Sequence, residues 1–344
     1  MSVKMAGESK IEDQPEANII VAADHGRLDL VTTLLEGVID PNTVDEVGTS
    51  ALHNAANKGH WHIARLLLEK NASPRIRDGK YAIPVHLAVK AGHQQIVRLL
   101  LECDPGISDT KQIDQHKLLR LAAGFGHIDI VQLLLNHGAS SLSTDGRKTP
   151  LHWAAKKGHA DVCELLLKHD KNLDRSLWAR PMGPSLEVDA KDMFEETPFT
   201  YACQNKHKRT VEIFLRQYSN LYKTYRPQRG NVFHDAIRTG DIEMAGIFLN
   251  HGADIEMKDN KGRRAIHVAV SADTMGFVDT SYEMIQLILA HGATVDVKDE
   301  NGHTPESYTS KPRIRMLLRT SKVSKGESVP VAPQTKAPPP EYKN

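Results

Sequence analysis

The 344-residue sequence predicts an all-α fold, a solenoid of about nine stacked helix–turn–helix repeats including the two end copies, joined by turns or hairpin tips. Three observations predict it. First, one segment recurs. Close copies begin at Ser50 (SALHNAANKGHWHIARLLLEKNAS), Ile83, Lys117 and Thr149, and weaker ones at Asn18, Thr197, Asn231, Arg264 and Thr304. Aligned on one position, the copies place Ile20, His53, His86, Arg120, His152, Thr200, His234, His267 and Ser307 at gaps of 33, 33, 34, 32, 48, 34, 33 and 40 residues. A period of this size marks an array whose core grows by repetition. Second, the copies carry apolar residues at helical spacing, as in Val162, Leu165 and Leu166. Third, glycines recur where helices must stop.

Each part of the unit has a physical task. Thr149-Pro150 opens the first helix, because the hydroxyl accepts from an otherwise unpaired N–H and proline suits the first turn. Ala154 and Ala155 are small enough for close approach of a second helix, and Gly158 ends the first. Gly138, Gly252 and Gly292 end second helices. Asp45-Glu46-Val47-Gly48 and Asp299-Glu300-Asn301-Gly302 read as tight turns between units. At the two ends, Ile20 replaces histidine without a Thr-Pro, and the last helix (Arg313 to Arg319) exposes Arg313, Arg315 and Arg319. Such polar outer faces suit terminal repeats. The 48-residue gap predicts an insertion at about 170–186, and the 40-residue gap a longer loop over Ser271–Phe277 in the eighth unit. Residues 1–16 and the Pro-rich residues 321–344 are expected to be disordered, with the solenoid spanning 17–320.

From about Ala17 to Thr320 the sequence resembles the ankyrin-repeat family. Thr149-Pro150-Leu151-His152 is that family's hallmark, and it recurs in degraded form as Ser50-Ala51-Leu52-His53 and Ile83-Pro84-Val85-His86. The resemblance implies a curved solenoid whose turn tips and first helices form a concave protein-binding face. It also implies that the recurrent histidine bonds its own backbone.

Composition narrows the function. A formal net charge of +1 argues for neither a nucleic-acid nor a membrane surface. No secretory leader is expected from MSVKMAGESKIEDQPEA, and no run approaches ~18 consecutive apolar residues. Cys103, Cys163 and Cys203 are an odd, widely spaced set that fits a reducing compartment, the cytoplasm, with the nucleus left open. Cys163 and Cys203 fall at apolar positions and read as inert core thiols; Cys103 is expected to be more exposed. The 18 histidines follow the repeat rather than any metal-ligand spacing, so no metal is expected. Phosphate-cradling glycine loops are absent, and no Ser-His-Asp set stands apart from the repeat. The reading is therefore of a non-enzyme with no cofactor.

Candidate partner-binding residues lie just before the glycine that ends each first helix, on the side that the resemblance makes concave. They are Lys58, Lys90, Phe125, Lys156, Lys157, Lys206 and Arg238, with Lys80, Arg147, Lys148, Arg263 and Arg264 at turn tips. Aligned cations would steer an acidic or phosphorylated client. The competing reading is of solvated lysines beside the negative end of a helix dipole. Trp178, in the Pro-containing insertion, is either an interface anchor or a cover for its own loop. In the tail, Pro339-Pro340-Glu341-Tyr342 resembles the PPxY ligand of WW domains, a pre-extended segment that docks on aromatic grooves. By resemblance its partners include HECT-class ubiquitin ligases. Asn42, with Leu34 and Asp40 before it, resembles the ankyrin site of an asparaginyl hydroxylase; Pro41 departs from that pattern, and a plain turn asparagine is the alternative.

Together these features predict an adaptor or scaffold that holds a client on its first-helix face and recruits a WW-domain protein through its tail. The alternatives are a sequestering, inhibitory ankyrin protein and a transcription or chromatin cofactor. The last would need a basic nuclear-import cluster, and the sequence shows none.

Overall fold

The computed structural model describes residues 18–37, 39–104, 115–139, 148–172, 188–226, 230–273 and 278–323. Residues 1–16, residues 324–344 of the expected disordered tail, Arg147, Trp178 and the Pro339-Pro340-Tyr342 motif lie outside them; residues 321–323, assigned to that tail, are instead the end of the last helix. The chain divides into two compact bodies, residues 1–221 and 222–344.

Six helix pairs build the N-terminal body: α1 (Ile19–Asp24) with α2 (Leu28–Glu36), α3 (Ala51–Lys58) with α4 (Trp61–Glu69), and α5 (Pro84–Ala91) with α6 (Gln94–Cys103). Then follow α7 (Gln115–Phe125) with α8 (Ile128–Asn136), α9 (Pro150–Lys157) with α10 (Ala160–Asn172), and α11 (Pro198–Gln204) with α12 (Lys208–Gln217). First helices pack in one row, each on the next, and second helices pack in a parallel row behind them. Ala55, Ala56, Ala88, Ala122, Ala123, Ala154 and Ala155 are fully buried in the first-helix row, as close approach requires. The layer between the rows is filled by Leu67, Val97, Leu100, Val131 and Leu166. Each such side chain contributes roughly 1.5–3 kcal/mol when removed from water.

The C-terminal body opens with a two-residue antiparallel ladder, β1 (Tyr225–Arg226) and β2 (Gly230–Asn231), in which Tyr225 faces Asn231. Its helices are α13 (Val232–Arg238), α14 (Ile242–Asn250), α15 (Ala265–Asp273), α16 (Val278–Ala290), a 3-10 turn at Pro305–Tyr308, and α17 (Pro312–Val323). The sequence pattern did not signal the ladder.

Local chemistry explains the helix starts. Thr149 accepts from the His152 N–H, and the Thr149 N–H donates to His152 Nδ1 at 3.1 Å, a reciprocal cap. The other imidazole nitrogen reaches the following repeat. Nε2 of His53 donates to the Ala82 carbonyl (3.1 Å), that of His152 to Glu196 (3.2 Å) and that of His267 to His303 (3.2 Å). In these three repeats the recurrent histidine thus bonds its own turn and its neighbour's. The predicted tight turns are present and are built on aspartate: one Asp45 oxygen accepts from the N–H groups of Val47 and Thr49, and Asp78, Asp192, Asp259 and Asp299 repeat the arrangement.

Three further sequence expectations need correction. Ser271 to Asp273 do not belong to a loop; they extend α15, where Ser271 is buried and its hydroxyl bonds the Val268 carbonyl. Residues 170–172, assigned to the insertion, are the last turn of α10. Cys203 is half-buried, whereas Cys163 is fully buried and Cys103 exposed, as expected; none of the three forms a disulfide.

Candidate interaction surface

The candidate surface is a row of positions at the ends of the first helices in the N-terminal body. From the second repeat to the sixth, the residue that ends the first helix, a glycine in four repeats and Lys206 in the sixth, is followed by a histidine whose Nε2 bonds a carbonyl of the preceding repeat. His60 bonds Asp24, His93 bonds Asn57, His127 bonds Lys90, His159 bonds Gly124 and His207 bonds Lys156, all at 3.0–3.1 Å. The imidazole lies directly over the preceding glycine: a Cβ on Gly92, at φ +85°, would stand 2.7 Å from the His127 ring. Five identical rungs therefore fix the register of the residues that own those carbonyls.

That register sorts the predicted residues. Lys90 and Lys156 occupy the same position, two before the glycine, in the third and fifth repeats; Gly124 holds it in the fourth. Lys58, Phe125 and Lys157 sit one position later. Lys58 pairs with Asp24 at 3.6 Å. Lys90 and Lys157 are exposed and Lys156 half-buried, and none of the three has a carboxylate partner among the described residues. Phe125 is 45% exposed and stacks on His127, with ring centroids 6.2 Å apart.

Lys206 and Arg238 do not extend this set. Lys206 stands where the other first helices have their terminating glycine, with φ +57°, because His207 plays the part of the post-glycine histidine. It is therefore out of line with Lys156. Arg238 lies in the C-terminal body and is paired with Asp235. Its neighbours in that body are committed too: Arg263 to Asp259 at 2.8 Å and Arg264 to Glu256 at 2.6 Å. Asn42 uses both ends of its amide, donating to the Asn71 carbonyl and accepting from the Ser73 N–H at 2.7 Å. That is the work of a residue joining two turns.

Sequence reasoning missed an aromatic group beside Lys156. Trp153 and Tyr201 occupy the fourth helical position of α9 and α11. The Lys156 ammonium lies 5.8 Å from the Trp153 ring centre and 5.6 Å from that of Tyr201. Lys148 lies within 5.8 Å of Trp153, Tyr201 and the exposed Phe194, and pairs with the buried Asp192 at 3.6 Å. The signal was present as an aromatic four residues after each of Thr149 and Thr197. Charge states follow from the contacts. Burial pushes the Asp192 carboxyl up, but the Tyr201 hydroxyl at 2.7 Å, two backbone N–H groups and Lys148 outweigh it and hold it below its usual value. Burial pulls Lys148 down, and Tyr201 and Asp192 outweigh it, so its ammonium is held above the ordinary value. Burial first, and Glu102 second, raise the Cys103 thiol, which disfavours the nucleophilic thiolate. Among the described residues no cluster of His, Cys, Asp or Glu is arranged to hold a metal, and no helix is long and apolar enough to cross a membrane.

A stack of two-helix repeats joined by histidine rungs and aspartate turns is the architecture of an interaction solenoid. The family model for ankyrin repeats in three copies matches residues 19–113, 86–176, 182–259 and 199–299, and the chain belongs to the ankyrin-repeat family. Over 170 residues it is 26% identical to Rabankyrin-5 of Mus musculus and of Homo sapiens, a match spanning 48% of this chain and 13% of each relative. Over 184 residues it is 26% identical to a Danio rerio protein with the palmitoyltransferase designation ZDHHC13, spanning 47% of this chain and 28% of that relative. The chain thus covers well under a third of the length of these relatives. Ankyrin repeats are protein–protein interaction modules.

Proposed function

We propose that this protein is an adaptor whose N-terminal body captures an acidic or phosphorylated protein segment on its first-helix row. One observation carries the reading: Lys90, Lys156 and Lys157 lack carboxylate partners among the described residues, whereas Lys58, Lys148, Arg238, Arg263 and Arg264 are each paired within the fold. Unpaired cations held in register attract an anionic partner and set its orientation more than its raw affinity. The proposal includes recruitment of a WW-domain protein, such as a HECT-class ligase, through Pro339, Pro340 and Tyr342, and a cytoplasmic place of action. Two weak sites on one chain gain from effective concentration when both partners co-assemble. The palmitoyltransferase designation of one relative is taken as a likeness between interaction repeats, since this chain is ankyrin-type over most of its length and spans 28% of that relative.

The test compares affinity capture by the full chain, by the Lys156→Glu/Lys157→Glu variant and by a chain lacking residues 321–344. The expected result is a captured partner that charge reversal loses, that rising salt weakens, and that tail removal retains while WW-domain binding disappears. Capture indifferent to both charge reversal and salt refutes the first-helix reading. Binding to an isolated WW domain that survives Tyr342→Ala refutes the tail.

A further inference from the structure

We infer that the row contains a notch for one apolar or aromatic side chain of an acidic partner segment in the polyproline II conformation, opened by Gly124 and floored by Trp153. The inference rests on the interaction reading above and adds the kind of residue captured and the backbone that presents it.

Gly124 lies inside α7, where glycine is a poorer helix former than alanine and no positive φ calls for it. A Cβ built there would meet only Trp153 Cβ, at 3.6 Å, an ordinary contact. Helix stability and packing would therefore both accept a side chain, and the position is left open. The opening is bordered by Phe125, 45% exposed, and by the half-buried Trp153 with the Lys156 ammonium over its ring. Interface anchors favour aromatic surroundings of this kind.

Charge and spacing identify the occupant. Lys90 and Lys156 hold the positions equivalent to Gly124 in the repeats on either side, and neither has a carboxylate partner among the described residues. Packed helices stand about 8–10 Å apart. A polyproline II chain returns to the same face every three residues, after about 9 Å. A segment reading acidic–x–x–apolar–x–x–acidic in that conformation sets its central side chain in the notch and a carboxylate near each lysine. A β-strand fits worse, since residues three apart point to opposite faces.

The experiment is fluorescence anisotropy on the full chain with a labelled peptide, Glu-Pro-Pro-Phe-Pro-Pro-Glu. Gly124→Gln is expected to weaken binding at least tenfold while the thermal midpoint holds or rises, because it fills the opening and improves the helix. Phe125→Ser, a change outside the core, is expected to weaken binding about threefold. Replacing the peptide's Phe by Ala should cost at least tenfold, and replacing both Glu by Gln should flatten the salt dependence. Equal affinity of wild type and Gly124→Gln, or of the Phe and Ala peptides, overturns the notch. If Lys156→Glu/Lys157→Glu still abolishes capture in that case, the notch alone has failed. If charge reversal also leaves peptide binding unchanged, the interaction reading falls with it.

Discussion

The two bodies share the aspartate turns and the cross-repeat histidine of the helix start, but they differ at the end of the first helix. In the N-terminal body, that end carries imidazole-to-carbonyl rungs from His60, His93, His127, His159 and His207. In the C-terminal body the residue after Gly240 is Asp241, which caps α14 instead. There one link runs through a carboxylate: Glu256 accepts from Arg264 and from the Thr294 N–H. Ion pairs between repeats occur in both bodies, as in Arg75–Asp104 and Arg209–Asp161 of the first and Arg264–Glu256 of the second, but Lys90, Lys156 and Lys157 of the first have no carboxylate partner among the described residues.

The largest expected effect is one the bodies share. Burial pulls His152, in the first, and His234, in the second, down to about 4. The unfolded imidazole titrates near 6.5. Between those values the unfolded chain binds protons that the folded chain does not, so stability present above pH 6.5 is lost as pH falls toward 4. Each histidine accounts for about 3 kcal/mol of that loss. All three tryptophans, Trp61, Trp153 and Trp178, precede residue 222, so Trp fluorescence reports the N-terminal body and circular dichroism reports both. Urea melts at pH 7 and 4.5 should show both signals destabilised; a body that loses nothing contradicts the buried neutral imidazole.

Glu256→Ala separates the bodies. It removes the acceptor of Arg264 and Thr294, at an expected cost of about 2 kcal/mol to the C-terminal body alone. The cost should shrink in 1 M salt, which screens the lost pair. A shift in the tryptophan-reported transition would show that the loss is not confined to the C-terminal body. A smaller contrast uses one substitution at two glycines. Gly92→Asn meets the His127 ring and breaks a rung, for about 1–2 kcal/mol, whereas Gly252→Asn, at a similar φ with nothing within 4 Å, should cost a few tenths. Equal costs, measured by chemical denaturation, would show that the rungs contribute nothing. Thr149→Ala should cost about 1 kcal/mol through its cap. Least of all, Lys156→Glu/Lys157→Glu should change stability by under about 0.5 kcal/mol, since neither lysine has a carboxylate partner among the described residues. Any larger loss would mean that these residues serve the fold.

Most of the array was legible because its signals are local. Thr149-Pro150 and Gly158 specify a helix start and stop within ten residues, and the structure uses them so. What escaped depends on distant chain. Lys206 passed as a row residue because the long gap before it hides that His207 is the post-glycine histidine. Arg238 looked free because a sequence does not show whether Asp235, three residues back on the same helix, takes its charge. The helical Ser271–Asp273 looked like a loop because extra length was assigned to the connection rather than to the helices beside it. The Gly124–Trp153 opening was missed because it joins residues of neighbouring repeats, and only stacking brings them together.

The bond from His207 to the Lys156 carbonyl spans 51 residues, yet at 3.0 Å it matches the rungs that span 35 to 37. Closing a somewhat longer loop adds only a few tenths of a kcal/mol. Added length in the connection between α10 and α11 is therefore expected to leave the docking of the fifth repeat on the sixth intact, making this connection a natural graft point for foreign sequence.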